Sequence, residues 1–389
     1  MTRLVDGTIE YMLQLDYIID SFSKTKVRKM KPFIRNLLRM SVYQIKYMDA
    51  VPDSAVCNEA VKLAKRHKFA QLSGFVNGVL RNIARNIDSV QFDTLSIRYS
   101  MPQWIVDRFV AEYGEKKAEE IFKAFHSKST ISIRTNLTRC TPDELRAMLE
   151  AEGVIVTPVD ELNYAFVISG FDYLNGLQSF RDGLFYVQDI SSMLVAQTAA
   201  PKKGDYVIDV CAAPGGKSTH IAELLKGSGH VLARDLTDTK VGMIEENIDR
   251  HGLNNMSAEV WDATVPDADS AEKADILICD LPCSGLGVLG RKKDIRYKMT
   301  PESVDELAAL QRQILDTVHT YVKPNGVLVY STCTIDEAEN EDNVRWFIEK
   351  HPEFELDMSF AEGTGMKQIL PGEHGSDGFF IARFIKSKL

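Results

Sequence analysis

The sequence predicts an α/β fold with an open, mostly parallel sheet in its C-terminal half, preceded by an all-helical piece and a small α+β piece. Three observations predict it. From Leu4 to about Ile87 the apolar residues recur at helical spacing throughout. Between residues 99 and 185 helical stretches mix with short strands that alternate in polarity. From Gly183 onward, buried-strand patterns alternate with helices, as a parallel sheet requires. These pieces are placed at 1–90, 91–182 and 183–389, with no internal repeat and no low-complexity linker between them.

In the first piece one helix carries Met12, Leu15, Ile18 and Ile19, and a second carries Phe33, Leu37, Leu38, Met40, Val42 and Ile45. Pro52-Asp53-Ser54 starts a third, with Val56, Val61 and Ala64, and Leu72 to Ile83 makes a fourth. A small helical bundle results. In the second piece Met101-Pro102-Gln103-Trp104 opens a helical stretch that continues past Phe122. Ile131 to Asn136 then alternates like a strand, Thr141-Pro142-Asp143-Glu144 is a capped helix start, and Val154 to Val156 and Ala165 to Ile168 are further strands.

The third piece is organised around YVIDVCAAPGGKSTHIAEL, Tyr206 to Leu224. It reads as a buried strand to Cys211, a loop of small residues from Ala212 to Gly216, and a helix capped by Ser218. Loops of small residues let a ligand lie against the backbone. Further strands end at Asp235, Asp262, Asp280 and Ser331. Ligands in open α/β sheets bind beyond the carboxyl ends of the strands, so three aspartates at such ends point to a site. A P-loop needs glycine at position 211, which is cysteine, and the dinucleotide pattern needs glycines where Ala212 and Ala213 stand. Asp235, twenty residues beyond Gly215, can accept from both ribose hydroxyls. A ribose without a pyrophosphate points to S-adenosylmethionine.

Composition bounds the rest. The net charge of −9 divides unevenly, with +7 over residues 1–98, −4 over 99–185 and −12 over 186–389. Positive charge therefore gathers in the helical piece, where Lys24, Lys26, Arg28, Lys29, Lys31, Arg35 and Arg39 crowd the second helix and the loop before it. That patch is either a solvated face or a grip on a phosphate backbone. No run approaches a membrane span and no leader pattern opens the chain, which reads as cytoplasmic with no membrane partner; the sequence is silent on oligomeric state, and a monomer is the default expectation. The six cysteines are too scattered for a disulfide framework, and none forms C-x-x-C, so no metal is expected.

Two cysteines stand apart. Asp280-Leu281-Pro282-Cys283-Ser284-Gly285 follows one strand and Tyr330-Ser331-Thr332-Cys333-Thr334 follows the next. Adjacent parallel strands would set these loops side by side, and two thiols beside an aspartate suit covalent catalysis. Cys57, Cys140 and Cys279 read as small hydrophobes, and Cys211 as a residue that contributes its backbone.

DVCAAPGGKS, DLPCSG, YSTCT and HGSDGFFIARF together resemble the RNA cytosine-5 methyltransferases of the NOL1/NOP2/Sun group. The helical piece, with FVNGVLRNI at Phe75 to Ile83, is similar to the NusB-like domain of the bacterial 16S ribosomal RNA enzymes of the RsmB (Sun/Fmu) type. The chain begins within the first helices expected of such a domain, which implies a shortened bundle. The resemblance implies a Rossmann-like methyltransferase domain, a small RNA-recognition domain, S-adenosylmethionine as cofactor, and 16S ribosomal RNA, naked or partly assembled, as partner. It implies Cys333 as the residue that attacks C6 of cytosine, Cys283 as an aid to product release, and Asp280 as a contact to the base edge. Cofactor binding falls to Cys211, Ala212, Ala213, Pro214, Gly215, Gly216, Lys217, Asp235, Asp262 and Asp280, with Asp262 near the adenine amino group and Gln188-Asp189-Ser191 closing the pocket. Lys217 is expected near the base or at the helix start in a structural role. Arg291, Lys292, Lys293 and Arg296 are expected to hold phosphates that flank the target. Transfer RNA as substrate, and an inactive assembly factor, are the alternative readings.

Overall fold

The structure, a computed structural model, describes residues 2–127 and 130–388. Its contacts divide the chain into two compact units. The first comprises Met1–His126 and the returning segment Arg291–Lys298, and the second Ser127–Gly290 and Met299–Leu389.

Helices of eight residues or more in the first unit are α1 (Thr2–Glu10), α2 (Met12–Phe22), α3 (Pro32–Tyr47), α4 (Asp53–Arg66), α5 (Ser73–Asn86), α6 (Gln103–Tyr113) and α7 (Glu115–Phe125). Their apolar stripes meet as the spacing requires, with Leu15, Ile18, Ile19, Leu37, Leu38, Val42, Ala64, Leu80 and Ile83 in one core. The segment Arg291–Lys298 is held inside this unit. Arg296 is fully buried and reaches the Glu10 carbonyl at 3.4 Å, Lys293 is ion-paired to the Glu10 carboxylate, and the Tyr297 hydroxyl donates to the same carbonyl at 3.2 Å. The expectation that Arg296 and Lys293 hold RNA phosphates is thus corrected. A guanidinium with no solvent exposure serves packing, and Lys293 already has its counter-ion.

The second unit opens with a four-stranded antiparallel sheet in the order β2-β3-β1-β4: β1 (Ile131–Thr135), β2 (Ile155–Val159), β3 (Leu162–Ser169) and β4 (Phe185–Val187). Helix α8 (Pro142–Ala151) lies against it and begins with the expected reciprocal cap between Thr141 and Glu144. The larger sheet contains β5 (Tyr206–Asp209), β6 (His230–Asp235), β7 (Met256–Val260), β8 (Ala274–Asp280), β9 (Val322–Thr332), β10 (Phe354–Leu356), β11 (Met366–Ile369) and β12 (Phe379–Lys386). Strands β7-β6-β5-β8-β9 pair in parallel, β12 and β10 continue that edge antiparallel, and β11 also pairs with β12. The strand order reverses between β5 and β8, where α/β sheets open a crevice for a ligand.

Both faces are covered, so the central strands are apolar on both sides. Val207, Ile276, Ile278 and Val329 face the core that includes residues of α9 (Ile190–Ala199), α10 (Gly216–Leu224) and α11 (Asp238–His251). Ile208, Leu277, Cys279, Leu328 and Tyr330 face the core shared with α12 (Pro301–Val318) and α13 (Glu341–Lys350). Three strand ends differ from expectation: β5 stops at Asp209 rather than Cys211, β7 at Val260 rather than Asp262, and β9 at Thr332 rather than Ser331. Helix α10 begins at Gly216, capped by Gly215 at φ +105°, a conformation that favours glycine. Ser218 is therefore not the cap. It lies in the first turn and donates to Asp209.

The small sheet is tied to the larger one by a buried charge. Arg134 of β1 has no exposure, and it donates to Gln188 at 2.9 Å, to Thr219 at 3.1 Å and to Glu223 of α10. Removing one partner of a buried ion pair leaves the other uncompensated, at about 3–5 kcal/mol. Glu223→Ala is expected to lower stability in urea unfolding by about that amount, and the apolar pair Arg134→Met with Glu223→Leu to restore most of it.

Candidate active site

The parallel register of β8 and β9 sets Asp280 opposite Ser331, and the loops that follow leave the sheet together. Cys283 Sγ and Cys333 Sγ lie 3.1 Å apart, and the Cys333 backbone N–H donates to the Cys283 sulfur at 3.3 Å. The expectation of two thiols side by side is met. The Cys283 thiol is pushed well above its ordinary range by its hydrogen bond with Cys333, then by burial and the nearby Glu339 charge. It is a thiol, not a thiolate, at neutral pH.

Asp280 is fixed at both oxygens. Ser331 Oγ donates to Oδ1 at 2.8 Å and Lys217 Nζ to Oδ2 at 2.6 Å. Burial works against the Lys217 charge, but Asp280 and Asp209 outweigh it and hold the ammonium above its usual value. Lys217 also lies 5.4 Å from the centre of the Phe379 ring. Lys217 is thus at the site, in contact with Asp280, and not merely a residue of the helix start. Asp209 lies beneath, buried, accepting from Ser218 Oγ and the Cys211 N–H, and burial raises its carboxyl to about 7.

Two glycines let three segments meet. Gly287 N–H donates to the Cys333 carbonyl at 3.1 Å, and Gly378 N–H to the Gly287 carbonyl at 2.9 Å. A Cβ on Gly287 would stand 2.3 Å from the Gly378 oxygen and 2.9 Å from the Cys333 oxygen. Behind the thiols, Glu339 accepts from Ser284 N at 2.9 Å and from Gln311 Nε2 at 2.9 Å, and also from Ser284 Oγ. Gln311 Nε2 also donates to the Pro282 carbonyl at 2.9 Å, and Asn340 receives Thr332 Oγ1 at 2.6 Å while donating to the Thr334 carbonyl at 3.1 Å. Gln311, Glu339 and Asn340 are fully buried. Sequence reasoning missed all three: Glu339 and Asn340 sit in the run Glu-Asn-Glu-Asp, whose composition reads as a solvated face.

The glycine loop connects β5 to α10 through backbone bonds: Ala212 N–H to the Arg234 carbonyl at 2.8 Å and Gly215 N–H to the Ala212 carbonyl at 2.6 Å. Asp235 accepts from Ala213 N at 2.9 Å, from Leu236 N at 2.7 Å and from Lys240 Nζ at 2.8 Å. The Pro214 carbonyl accepts from Asn247 at 2.9 Å. Cys211 turns its thiol toward the core, and burial pushes that thiol far up, so its backbone is what the loop offers. Gln188 accepts from Arg134, and Asp189 caps α9 while receiving the Asp377 N–H at 3.3 Å. Asp262 is exposed on the loop after β7, with its carboxylate turned to Thr264 N at 2.9 Å and Thr264 Oγ1 at 2.7 Å. These contacts hold it below the usual carboxylate range.

Asp209 gives a pH signature. Its folded value lies above its unfolded one, so the folded state keeps a proton that the unfolded state has lost, and its contribution to stability falls as pH rises from about 4 to about 7. Replacing the acid by its amide, Asp209→Asn, removes that slope. The stability difference between Asp209→Asn and the unaltered chain is expected to move in the variant's favour across this window and to level off above it, as urea midpoints at each pH would show.

Comparison with known proteins agrees with this geometry. Residues 196–385 match the family model described as 16S rRNA methyltransferase RsmB/F, residues 1–85 the NusB family, and residues 101–171 the ferredoxin-like domain of RsmF/B-like methyltransferases. The chain is 39% identical over 404 residues to the Bacillus subtilis protein named "Probable ribosomal RNA small subunit methyltransferase B", covering 99% of this chain and 90% of that one. It is 32% identical to the ribosomal RNA small subunit methyltransferase B of Salmonella paratyphi A, with the same coverage. The crystal structure of PH0851 superposes with a TM-score of 0.85 at 27% identity, over 100% of this chain and 89% of that one. With full-length relatives at this identity, the NusB-type helices, the ferredoxin-like sheet and the two-cysteine site all in one chain, the protein belongs to the RsmB family of 16S rRNA methyltransferases.

Proposed function

We propose that this chain transfers a methyl group from S-adenosylmethionine to C5 of one cytosine in 16S ribosomal RNA, through a covalent adduct between Cys333 and C6 of the base. The observation that carries the reading is the pair of thiols 3.1 Å apart beside a fixed aspartate. C5 of cytosine is a poor nucleophile. Addition of the Cys333 thiolate at C6 breaks the aromatic system and leaves C5 enamine-like. Asp280, held by Lys217 and Ser331, meets the N3/N4 edge, where it hydrogen-bonds or protonates the base and so drains the negative charge that develops as the adduct forms. After methylation the C5 proton is taken up by solvent water. Its bonding pair then re-forms the C5–C6 double bond while the C6–S pair returns to Cys333. Cys283 lies within contact of Cys333 and assists this breakdown.

The residues at the switch point fit the cofactor. The loop backbone from Cys211 to Lys217 and the carboxylate of Asp235 would hold it, with Asp262 and Asp280 flanking. Lys240 Nζ now occupies one position on Asp235 and is half exposed, so it can yield to a ribose hydroxyl. S-adenosylmethionine supplies an electrophilic methyl group when bound. On the RNA side a flipped or single-stranded cytosine is required. Lys24, Lys26, Arg28, Lys29 and Lys31 are exposed on the helical unit for phosphate contact, whereas Arg39 is paired with Asp16 at 2.5 Å. The chain acts as a monomer, in the cytoplasm, with no metal in this chemistry.

The first experiment is transfer of labelled methyl groups to 16S ribosomal RNA, with the product nucleotide mapped. A single 5-methylcytosine is expected; transfer to transfer RNA alone would overturn the substrate and leave the chemistry. Cys333→Ala is expected to abolish transfer, and Cys283→Ala to leave the protein on RNA as an adduct that survives denaturation. Accumulation with Cys333→Ala instead would exchange the two roles. Gly287→Ala should lower the turnover roughly 100-fold, because its Cβ displaces the Cys333 carbonyl and misplaces the thiol.

A further inference from the structure

Away from the thiols, the C-terminal ends of α12 and α13 bring two imidazoles and two carboxylates together. Asp316 lies in the last turn of α12, His319 just follows that helix, His351 follows α13, and Glu353 comes two residues later. One donor atom each from Asp316, His319 and His351 falls within 4.8 Å of the others. His351 Nε2 is 3.2 Å from Asp316 Oδ1, and Glu353 Oε1 is 3.7 Å from His319 Nε2. Tetrahedral zinc with bonds near 2.0–2.1 Å has ligand-to-ligand edges of roughly 3.3 Å, so the spacing between His351 Nε2 and Asp316 Oδ1 already matches, while Glu353 lies on the Nδ1 side of His351, at 3.8 Å.

Further features point to a cation. His351 is 6% exposed, and its buried Nε2 faces Asp316 Oδ1 at 3.2 Å without the geometry of a hydrogen bond. His319 Nδ1 donates to the Asp316 carbonyl at 2.8 Å, which fixes the tautomer and leaves the Nε2 lone pair toward Glu353. An imidazole oriented by a carbonyl through its other nitrogen is the usual arrangement of a metal-ligating histidine. Two helix C-termini converge here, each carrying partial negative charge. Lys350 neutralises the far oxygen of Asp316, Oδ2, at 2.9 Å and leaves Oδ1 for the cluster.

We propose that Asp316, His319 and His351 form a binding site for one divalent transition-metal ion, with zinc as the best match to two imidazoles and a carboxylate oxygen, and solvent completing the coordination. The site is structural. It joins the ends of the two helices that cover one face of the sheet, and α12 carries Gln311, which holds the Pro282 carbonyl behind Cys283. Cysteine spacing gives no hint of it, because its ligands are histidines and a carboxylate from two helix ends.

The test is titration of the full chain with Co²⁺ as a spectroscopic probe and with Zn²⁺ in thermal unfolding. One equivalent of Co²⁺ is expected, with visible d–d bands and no thiolate-to-cobalt charge-transfer band, which separates this site from the Cys283–Cys333 pair. Zn²⁺ is expected to raise Tm in a concentration-dependent way. His319→Ala and Asp316→Asn, at partly exposed positions, should each weaken binding more than about 100-fold and remove the Tm shift while the circular dichroism stays unchanged. Absence of saturable one-to-one binding, a thiolate charge-transfer band, or full binding retained in both variants would overturn the proposal.

Discussion

Parallel pairing of β8 with β9, in the register that sets Asp280 beside Ser331, is the constraint on which the active site depends. Each strand delivers a cysteine to a loop that begins within three residues of its end, so neither thiol has slack to wander. The pairing is fixed from both sides of the sheet. Ile276 and Ile278 pack into one core while Leu277 and Cys279 pack into the other, and a slip of one residue would turn each set to the wrong face. The register of two buried strands therefore determines a distance between two sulfur atoms.

Register alone would leave the loops free to move beyond the strand ends. Their fixation comes from polar groups taken out of water, each with partners. Glu339 is fully buried with its charge disfavoured by burial, and it is tolerable there because Ser284 and Gln311 supply three donors. Ser284 follows Cys283, and Thr334, whose Oγ1 donates to Ser284 Oγ at 3.0 Å, follows Cys333. One network thus clamps the residue after each thiol. Gly287 and Gly378 complete the clamp from the other side by letting backbone meet backbone where a side chain would not fit.

The parts of this design legible in the sequence are those governed by period. Helical spacing from Met12 to Ile83, strand patterns at β5 and β8, and the small-residue loop between Cys211 and Lys217 follow from local rules, and the adjacency of Cys283 and Cys333 follows from parallel strand order. What stayed hidden depends on partners distant in sequence. Ser218 reads as a helix cap because serine caps helices, yet it faces Asp209, nine residues earlier on a strand. Lys293 and Arg296 read as phosphate ligands because they are basic and near the site, yet their counterpart is Glu10, at the other end of the chain. A charge run shows how much charge is present and gives no indication of where its partner lies.

Lys217, Asp280 and Asp209 show how one ammonium sets two neighbouring aspartates apart. Lys217 lies between Asp280 and Asp209 but touches only Asp280, at 2.6 Å. With a single ammonium for two acids, burial acts hardest on the acid without direct contact, and Asp209 keeps its proton to about pH 7. Asp280, by contrast, keeps Lys217 on one oxygen and Ser331 on the other. The strand that leads to Cys283 thus also positions Asp280 beside Ser331 of the next strand.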